Sequence, residues 1–316
     1  MSTALPRLEN LKRRGDGYES ACPACREIGR DKTGAHLRIF GDEKFGCAAF
    51  PNDPEHRKRI FALAGLKLDA KPALRALPAL RDLTYRETAK IAELRRFPLM
   101  AGIEIARQRG LLHACDLRDG PGDPVPCWAI GDSAGKVVQA RRLDGKPFSH
   151  RWDADAKAWR VCTPFKAKTI GPAGWPVGAD DIGDRSCILV TEGGPDFLAA
   201  HLIAWWFGVA ADVAVVAMLG AGQSIPDDAA PYFRDKRCRI LIDNDDAGET
   251  AANRWAGQLY QAGAAAVSGF RWHDCTMQDG SLVKDANNFA STLDPETEPT
   301  VNPVAGLLVQ TVKAAA

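Results

Sequence analysis

Ile240–Thr250 reads ILIDNDDAGET, and the reading of this stretch decides the fold. Three apolar residues run straight into Asp243, Asp245 and Asp246. A short apolar run bounded by polar residues is a buried strand, and the segment that follows, DAGETAANRWAGQLYQAG, has helical period with Gly248 in its first turn. In a sheet of parallel strands the functional crevice lies beyond the carboxyl ends of the strands. Acids at the end of a buried strand therefore stand where chemistry is done. Working outward, CILVTEG from Cys187, VAVVAM from Val213 and AVSGFRW from Ala266 are further β-rich runs, again separated by segments of helical period. That alternation predicts an α/β fold, a Rossmann-like parallel sheet with crossover helices.

Two more acidic elements join the first. ILVTEGGPD ends a strand in Glu192, turns on Gly193 and Gly194, and puts Asp196 in the first turn of the next helix; VKDANNFA supplies Lys284, Asp285 and Asn287. Carboxylates about 4 Å apart repel by about 4 kcal/mol per pair at an effective dielectric near 20, so such a cluster needs neutralising. Mg²⁺ suits the task, a hard cation that takes a few carboxylates and keeps its other positions for water and phosphate oxygens. Asp is also a favoured helix cap. Asp246 is expected to be such a cap, and Asp196 would gain from the field of a helix N-terminus. Asp243, directly behind Ile-Leu-Ile, lies too early to cap.

A chain of 316 residues, 46% hydrophobic, can bury a sizeable core in two or three domains. No stretch approaches the roughly 18 to 20 apolar residues of a membrane span, and the N-terminus has no signal-peptide apolar region, so a cytoplasmic location is expected. Nine Cys make no dense disulfide framework at this length, which leaves buried thiols or metal ligands. The net charge of +1 hides an asymmetry: residues 1–170 hold 32 Lys and Arg against 21 Asp and Glu, residues 171–316 hold 9 against 19. A basic half suits a polyanion and an acidic half suits divalent cations, a pairing that a nucleic-acid enzyme needs.

Near the N-terminus, CPAC places Cys22 and Cys25 within reach of one tetrahedral zinc, and Cys47 is the obvious third ligand. Phe50 stands where a zinc ribbon usually has its second Cys, leaving His36 and His56 as candidates for the fourth; His56 is preferred because it directly follows the ribbon's last turn. Residues 1–68 are thus expected to be a β zinc ribbon with too little core to fold without metal. Residues 69–83, opening with DAKPALRALPAL, read as a linker. Residues 84–184 form a basic, mixed α+β subdomain: helical spacing from Thr84 to Arg109, broken at Pro98, then a hairpin turning at Asp132–Gly135. Residues 185–290 hold the parallel sheet, and residues 291–316 are a tail expected to fray. The chain contains no phosphate-binding P-loop motif.

Glu192-Gly193-Gly194-x-Asp196, Asp243-x-Asp245-x-x-Gly248 and Lys284-Asp285-x-Asn287, in this order, resemble the TOPRIM domain of topoisomerases, primases and related nucleases. Preceded by a zinc ribbon of the CHC2 kind, a linker and a basic region, the set is similar to bacterial and phage primases of the DnaG type over nearly the whole chain. The likeness is weaker in the middle, where Arg109-Gly-Leu and the hairpin GKVVQARRLDG are similar to the family's basic subdomain. The resemblance implies a DNA-directed RNA polymerase that makes short RNA primers on single-stranded DNA from ribonucleotide triphosphates. It implies Mg²⁺ or Mn²⁺ held by Glu192, Asp196, Asp243, Asp245 and Asp285, with Lys284 offsetting the acids or touching the triphosphate. Arg141, Arg142, Lys166 and Lys168 would hold template phosphates or the nucleotide. The zinc ribbon would read the initiation site, with Arg57, Lys58 and Arg59 at phosphates and Phe40, Phe45 and Phe50 as stacking platforms or ribbon core. A separate replicative helicase is the expected partner, and a phage or other mobile element is a natural host. Asn287 departs from the pattern, because many of the family's primases carry a second carboxylate there. Two other readings stay open: a TOPRIM nuclease, and a catalytically silent zinc-ribbon protein that binds single-stranded DNA.

Overall fold

The computed structural model describes residues 8–15, 17–40, 45–51, 53–64, 76–132, 135–153, 156–171, 174–297 and 301–308. The chain divides into two compact units, residues 1–74 and 75–316.

In the first unit, β1 (Lys12–Arg14), β2 (Gly17–Ser20), β3 (Leu37–Ile39) and β4 (Phe45–Cys47) form an antiparallel meander in that order, with α1 (Pro23–Glu27) after β2 and α2 (Pro54–Leu63) after β4. Each helix starts on a proline, whose missing N–H costs nothing at the first helical position. Asp53 caps α2 by accepting the His56 N–H. The buried core is Cys22, Ala24, Cys25, Leu37, Cys47 and Ile60. Half of it is thiol, too small an apolar core to hold four strands by itself.

The second unit opens with α3 (Tyr85–Arg95), whose first turn is closed by reciprocal bonds between Thr84 and Glu87. Phe97-Pro98 breaks the helical run, and α4 (Ala101–Gln108) follows. Next come β5 (Leu112–Leu117), β6 (Val125–Gly131), β7 (Val138–Arg142), β8 (Phe148–Asp153), β9 (Ala158–Phe165) and β10 (Lys168–Ile170). An antiparallel sheet has the order β10-β7-β6-β5, while β8 and β9 pair as a two-stranded ribbon. Then follow β11 (Cys187–Thr191), α5 (Gly194–Trp206), β12 (Val213–Ala217), β13 (Arg237–Leu241), α6 (Asp246–Gln261), β14 (Ala266–Phe270) and α7 (Ala286–Ser291).

The last four strands form the expected parallel sheet, in the order β12-β11-β13-β14. Every residue of β11 and β12 is buried, which explains their unbroken apolar sequence. From β11 the chain runs outward to β12 on one side, then returns to build β13 and β14 on the other. The order therefore reverses between β11 and β13, the switch point at which sheets of this kind open a crevice. Helix α4 crosses α5 closely because position 102 is glycine: a Cβ there would lie 2.5 Å from the Leu202 nitrogen and 2.6 Å from the Leu198 oxygen.

Two expectations about the connecting segments change. Residues 69–75 of the linker lie outside the described residues, but from Arg81 the chain is already tied to the sheet by a bridge with Ala114 of β5. The stretch after Ala290 does not simply fray. Val304 and Leu307 are buried, the Cys187 thiol donates to the Leu307 carbonyl at 3.3 Å, and the Arg239 guanidinium donates to the Pro303 carbonyl at 3.0 Å. Residues 309–316 lie outside the described residues. No helix among the described residues is long and apolar enough to cross a membrane.

Candidate active site and metal centre

Glu192 stands one residue beyond β11 and Asp243 two beyond β13, so the switch point is flanked by carboxylates from both central strands. Asp196 joins them from the first turn of α5. Asp243 and Asp196 are half-buried, and burial is the main reason both carboxyls are pushed above the ordinary range. Mutual repulsion adds to it: Asp196, Glu192, Asp285 and Asp245 all disfavour charge on Asp243. Glu192 is pushed up by burial too, against the Ala221 N–H that favours its charged form. Gly248 lets α6 approach this point, since a Cβ at 248 would lie 2.4 Å from the Asp243 oxygen.

Asp245 and Asp285 play a second part. Asp245, not Asp246, caps α6, accepting the Gly248 N–H at 2.9 Å; Asp246 is already the first helical residue. Asp245 also pairs with the Lys284 ammonium at 3.2 Å, and both contacts hold its carboxyl below the usual range. Asp285 caps α7 through the Asn288 N–H at 2.7 Å. The Asn287 N–H donates to Asp196 at 3.1 Å, while its side-chain oxygen is buried without a partner. The Asn244 N–H donates to the Lys284 carbonyl at 2.7 Å, joining the loop after β13 to the Lys284 segment. A recess of about 300 Å³ lined by Asp243, Asp245, Asp246 and Arg271 opens beside the acids.

The basic residues divide. Arg141 is half-buried, and burial together with repulsion from Arg95 lowers its guanidinium to about 10, while Asp196 attracts it. Its Nε and that of Arg95 are both buried without a hydrogen-bond partner. Arg142, expected beside Arg141 in one cleft, is engaged elsewhere, by Asp119 at 2.7 Å and Asp144 at 2.6 Å. The physical reason is the pleat, which sends neighbouring side chains of a strand to opposite faces. The Lys168 ammonium donates to the Arg118 carbonyl at 3.3 Å and lies over the rings of Phe148 and Trp159; Lys166 is exposed. On α2, Arg57 is exposed, Lys58 pairs with Glu55 at 2.6 Å, and Arg59 is bound by Glu27 of α1.

The thiols converge as their spacing predicts. Cys22, Cys25, Cys47 and His56 form a group whose ligand atoms all lie within 4.8 Å of one another, the one such group among the described residues. The Cys25 and Cys47 sulfurs are 3.4 Å apart, and His56 Nε2 is 3.4 Å from the sulfurs of Cys22 and of Cys25. A tetrahedron with zinc–sulfur bonds of about 2.3 Å has edges of about 3.8 Å, so three thiols and an imidazole gathered this tightly fit zinc. Burial raises the Cys22 and Cys25 thiols, a cost that a bound cation removes. His36 stays outside the group, 3.9 Å from buried Asp31. Phe45 and Phe50 pack against the cluster, Phe50 at 4.3 Å from the His56 ring, so both are ribbon core; Phe40 is exposed.

No protein-family model matches the chain, and no curated protein matches it. Solved structures do. The chain is similar to the zinc-binding and RNA polymerase domains of the Aquifex aeolicus primase, with 16% identity over 85% of this chain and 79% of that one and a TM-score of 0.30. It is similar to the primase fragment of the bacteriophage T7 primase-helicase, with 18% identity over 86% and 92% and a TM-score of 0.35. It is also similar to the RNA polymerase domain of Mycobacterium tuberculosis primase DnaG, with 21% identity over 71% of each chain and a TM-score of 0.29.

Two residues at the site escape sequence reasoning. Gln139, buried in β7, accepts the Gly194 N–H at 3.1 Å and donates to the Leu219 carbonyl at 3.4 Å, tying the antiparallel sheet to the start of α5. Arg95, in the last turn of α3, is drawn by the charges of Asp196 and Asp285. A polar residue inside the apolar hairpin was the only signal for Gln139. Arg95 gave none beyond its charge.

Proposed function

We propose that this chain is a primase-type nucleotidyltransferase of the TOPRIM class, joining ribonucleotides on a single-stranded DNA template. The observation that carries the reading is the convergence of Glu192, Asp196 and Asp243 at the sheet's switch point, with burial and mutual repulsion raising all three carboxyls. Such a cluster is incomplete electrostatically, and a divalent cation completes it. Glu192, Asp243 and Asp245 would hold Mg²⁺ or Mn²⁺, with Asp196 and Asp285 beside them. When bound, the cation supplies a lowered pKa for the attacking hydroxyl and offsets charge on the transferred phosphate.

The chain's own residues do the rest. The primer 3′-oxygen bonds to the α-phosphorus of the incoming triphosphate, the α–β phosphoanhydride bond breaks, and pyrophosphate leaves. Water carries off the hydroxyl proton, with Glu192 as its acceptor in the arrangement in which Asp243 and Asp245 alone hold the cation. Arg141 and Arg95, with unpartnered Nε groups, supply donors to phosphate oxygens. Lys284, held by Asp245, stands ready for the triphosphate. The Cys22, Cys25, Cys47 and His56 set would hold structural zinc and fix the ribbon that meets the template.

The test is purified protein with a single-stranded template, four ribonucleotides and Mg²⁺ or Mn²⁺, resolved on a gel. Primers from the wild type and none from Asp243→Asn support the reading. Cleavage of the template without nucleotides would transfer the site to a nuclease, and metal-independent binding alone would leave a silent binding protein.

A further inference from the structure

The ribbon β8–β9 takes no part in the acidic site, and among the described residues it pairs with no third strand. A two-stranded ribbon by itself is marginal in water. This one starts from a fixed point: buried Asp119 accepts the N–H groups of Ser149 and His150, each at 2.9 Å, and also binds Arg142. Beyond it, Trp152 and Trp159 stand directly opposite each other, their rings 5.6 Å apart and edge to face. Trp152 is 40% exposed and Val161 79%. A recess of about 320 Å³ lies among His150, Arg151, Trp152, Phe165 and Lys168. Two of these are cations already set against rings, the Arg151 guanidinium 4.9 Å from Phe165 and the Lys168 ammonium 5.5 Å from Trp159.

Exposed aromatic faces flanked by cations suit a ligand that alternates flat π-systems with negative charge. Residues 146–170 hold six Lys and Arg against two Asp, so a second copy of the ribbon would be repelled and a polyanion attracted. A duplex hides its base faces in its own stack, whereas an unpaired strand offers them. We propose that the β8–β9 ribbon is a stacking platform for the bases of an unpaired DNA strand, with Trp152 against a base in the recess and Arg151 and Lys168 at the flanking phosphates. The proposal rests on the single-stranded template of the function proposed above, but it concerns surface residues that the acidic site does not use.

Fluorescence anisotropy of the full chain with labelled oligothymidine, and with an abasic strand of the same length, separates stacking from charge. The wild type should prefer oligothymidine. Trp152→Ala should weaken oligothymidine about tenfold and leave the abasic strand unchanged, and Trp152→Phe should keep the preference. Arg151→Gln should weaken both strands and flatten the salt dependence. Should Trp152→Ala lower the melting temperature, Trp152→Leu, equally apolar but without a π face, reads the same loss. A wild type without preference, or a Trp152→Ala variant binding both strands like wild type, overturns the platform. So does a wild-type dimer that Trp152→Ala converts to monomer while oligothymidine affinity holds, which would make the ribbon an interface between copies. The primer gel is read separately: primers with an indifferent Trp152 sink only the platform, and base-dependent binding without primers sinks only the polymerase reading.

Discussion

At the scale of single residues, Asp243 carries the clearest consequence. It is half-buried among other carboxyls, and without a cation its charge works against folding. Asp243→Asn should therefore abolish primer synthesis while raising the stability of metal-free protein by about 1 kcal/mol, measured by urea unfolding in a chelator. The pH dependence follows from the same cause. Asp196 and Asp243 are raised in the folded chain, so above about pH 4 the folded state keeps protons that the unfolded chain has released. Metal-free stability should fall as pH rises through the raised values and level off above them. Mn²⁺ should restore it at the alkaline end, and Asp243→Asn should leave a shallower curve, the part that buried Asp196 contributes by itself. A metal-free chain whose melting temperature rises across that window would refute the assignment of raised carboxyls.

At the scale of elements, α6 is positioned by one glycine. Gly248→Ala sets a Cβ against the Asp243 backbone, and α6 has to move away from β13. A loss of about 2 kcal/mol in urea unfolding is expected, with a larger loss of Mn²⁺ affinity, because Asp245 caps that same helix. The elements also show what was legible in advance. Strand β11 is a nearly continuous apolar run, and β13, despite Arg237 and Arg239, leads into Ile240-Leu241-Ile242, so Glu192 and Asp243 follow strand ends as the sequence suggests. The cap of α6 slipped by one residue because Asp245 and Asp246 are chemically alike, and only backbone geometry tells them apart. Alternation separates Arg141 from Arg142, yet which of the two faces the acids depends on which face of the antiparallel sheet meets α5, as the Gln139–Gly194 bond shows. The ribbon β8–β9 was missed because FSHRWDADAKAWRVCTPF has polar residues on both faces and so lacks the period of a half-buried strand.

At the scale of the whole molecule, the two units differ in what can hold them folded. The first has three thiols and three aliphatic side chains for a core, the second a large apolar one. Stripping zinc with a strong chelator should abolish hydrogen-exchange protection of residues 17–64 and leave that of residues 187–270 intact. His56→Ala should halve zinc content or worse, while His36→Ala, outside the cluster, should keep it; metal analysis of both variants decides. Loss of protection in both units together on chelation would mean that they do not fold independently.

The clasp of the C-terminal stretch on the parallel sheet has a temporal meaning. Cys187 opens the first central strand, and its thiol donates to the carbonyl of Leu307, 120 positions later in the chain. On a ribosome, the first unit has its whole sequence free of the tunnel long before β13 exists to pair with β11. Its contacts are local and fast to form, whereas parallel pairing between distant segments is slow. During that interval β11 and β12, apolar on both faces, wait without their inner neighbour. The acid-bearing ends of the crevice come together late, so a nascent chain is exposed to aggregation before its acids stand side by side.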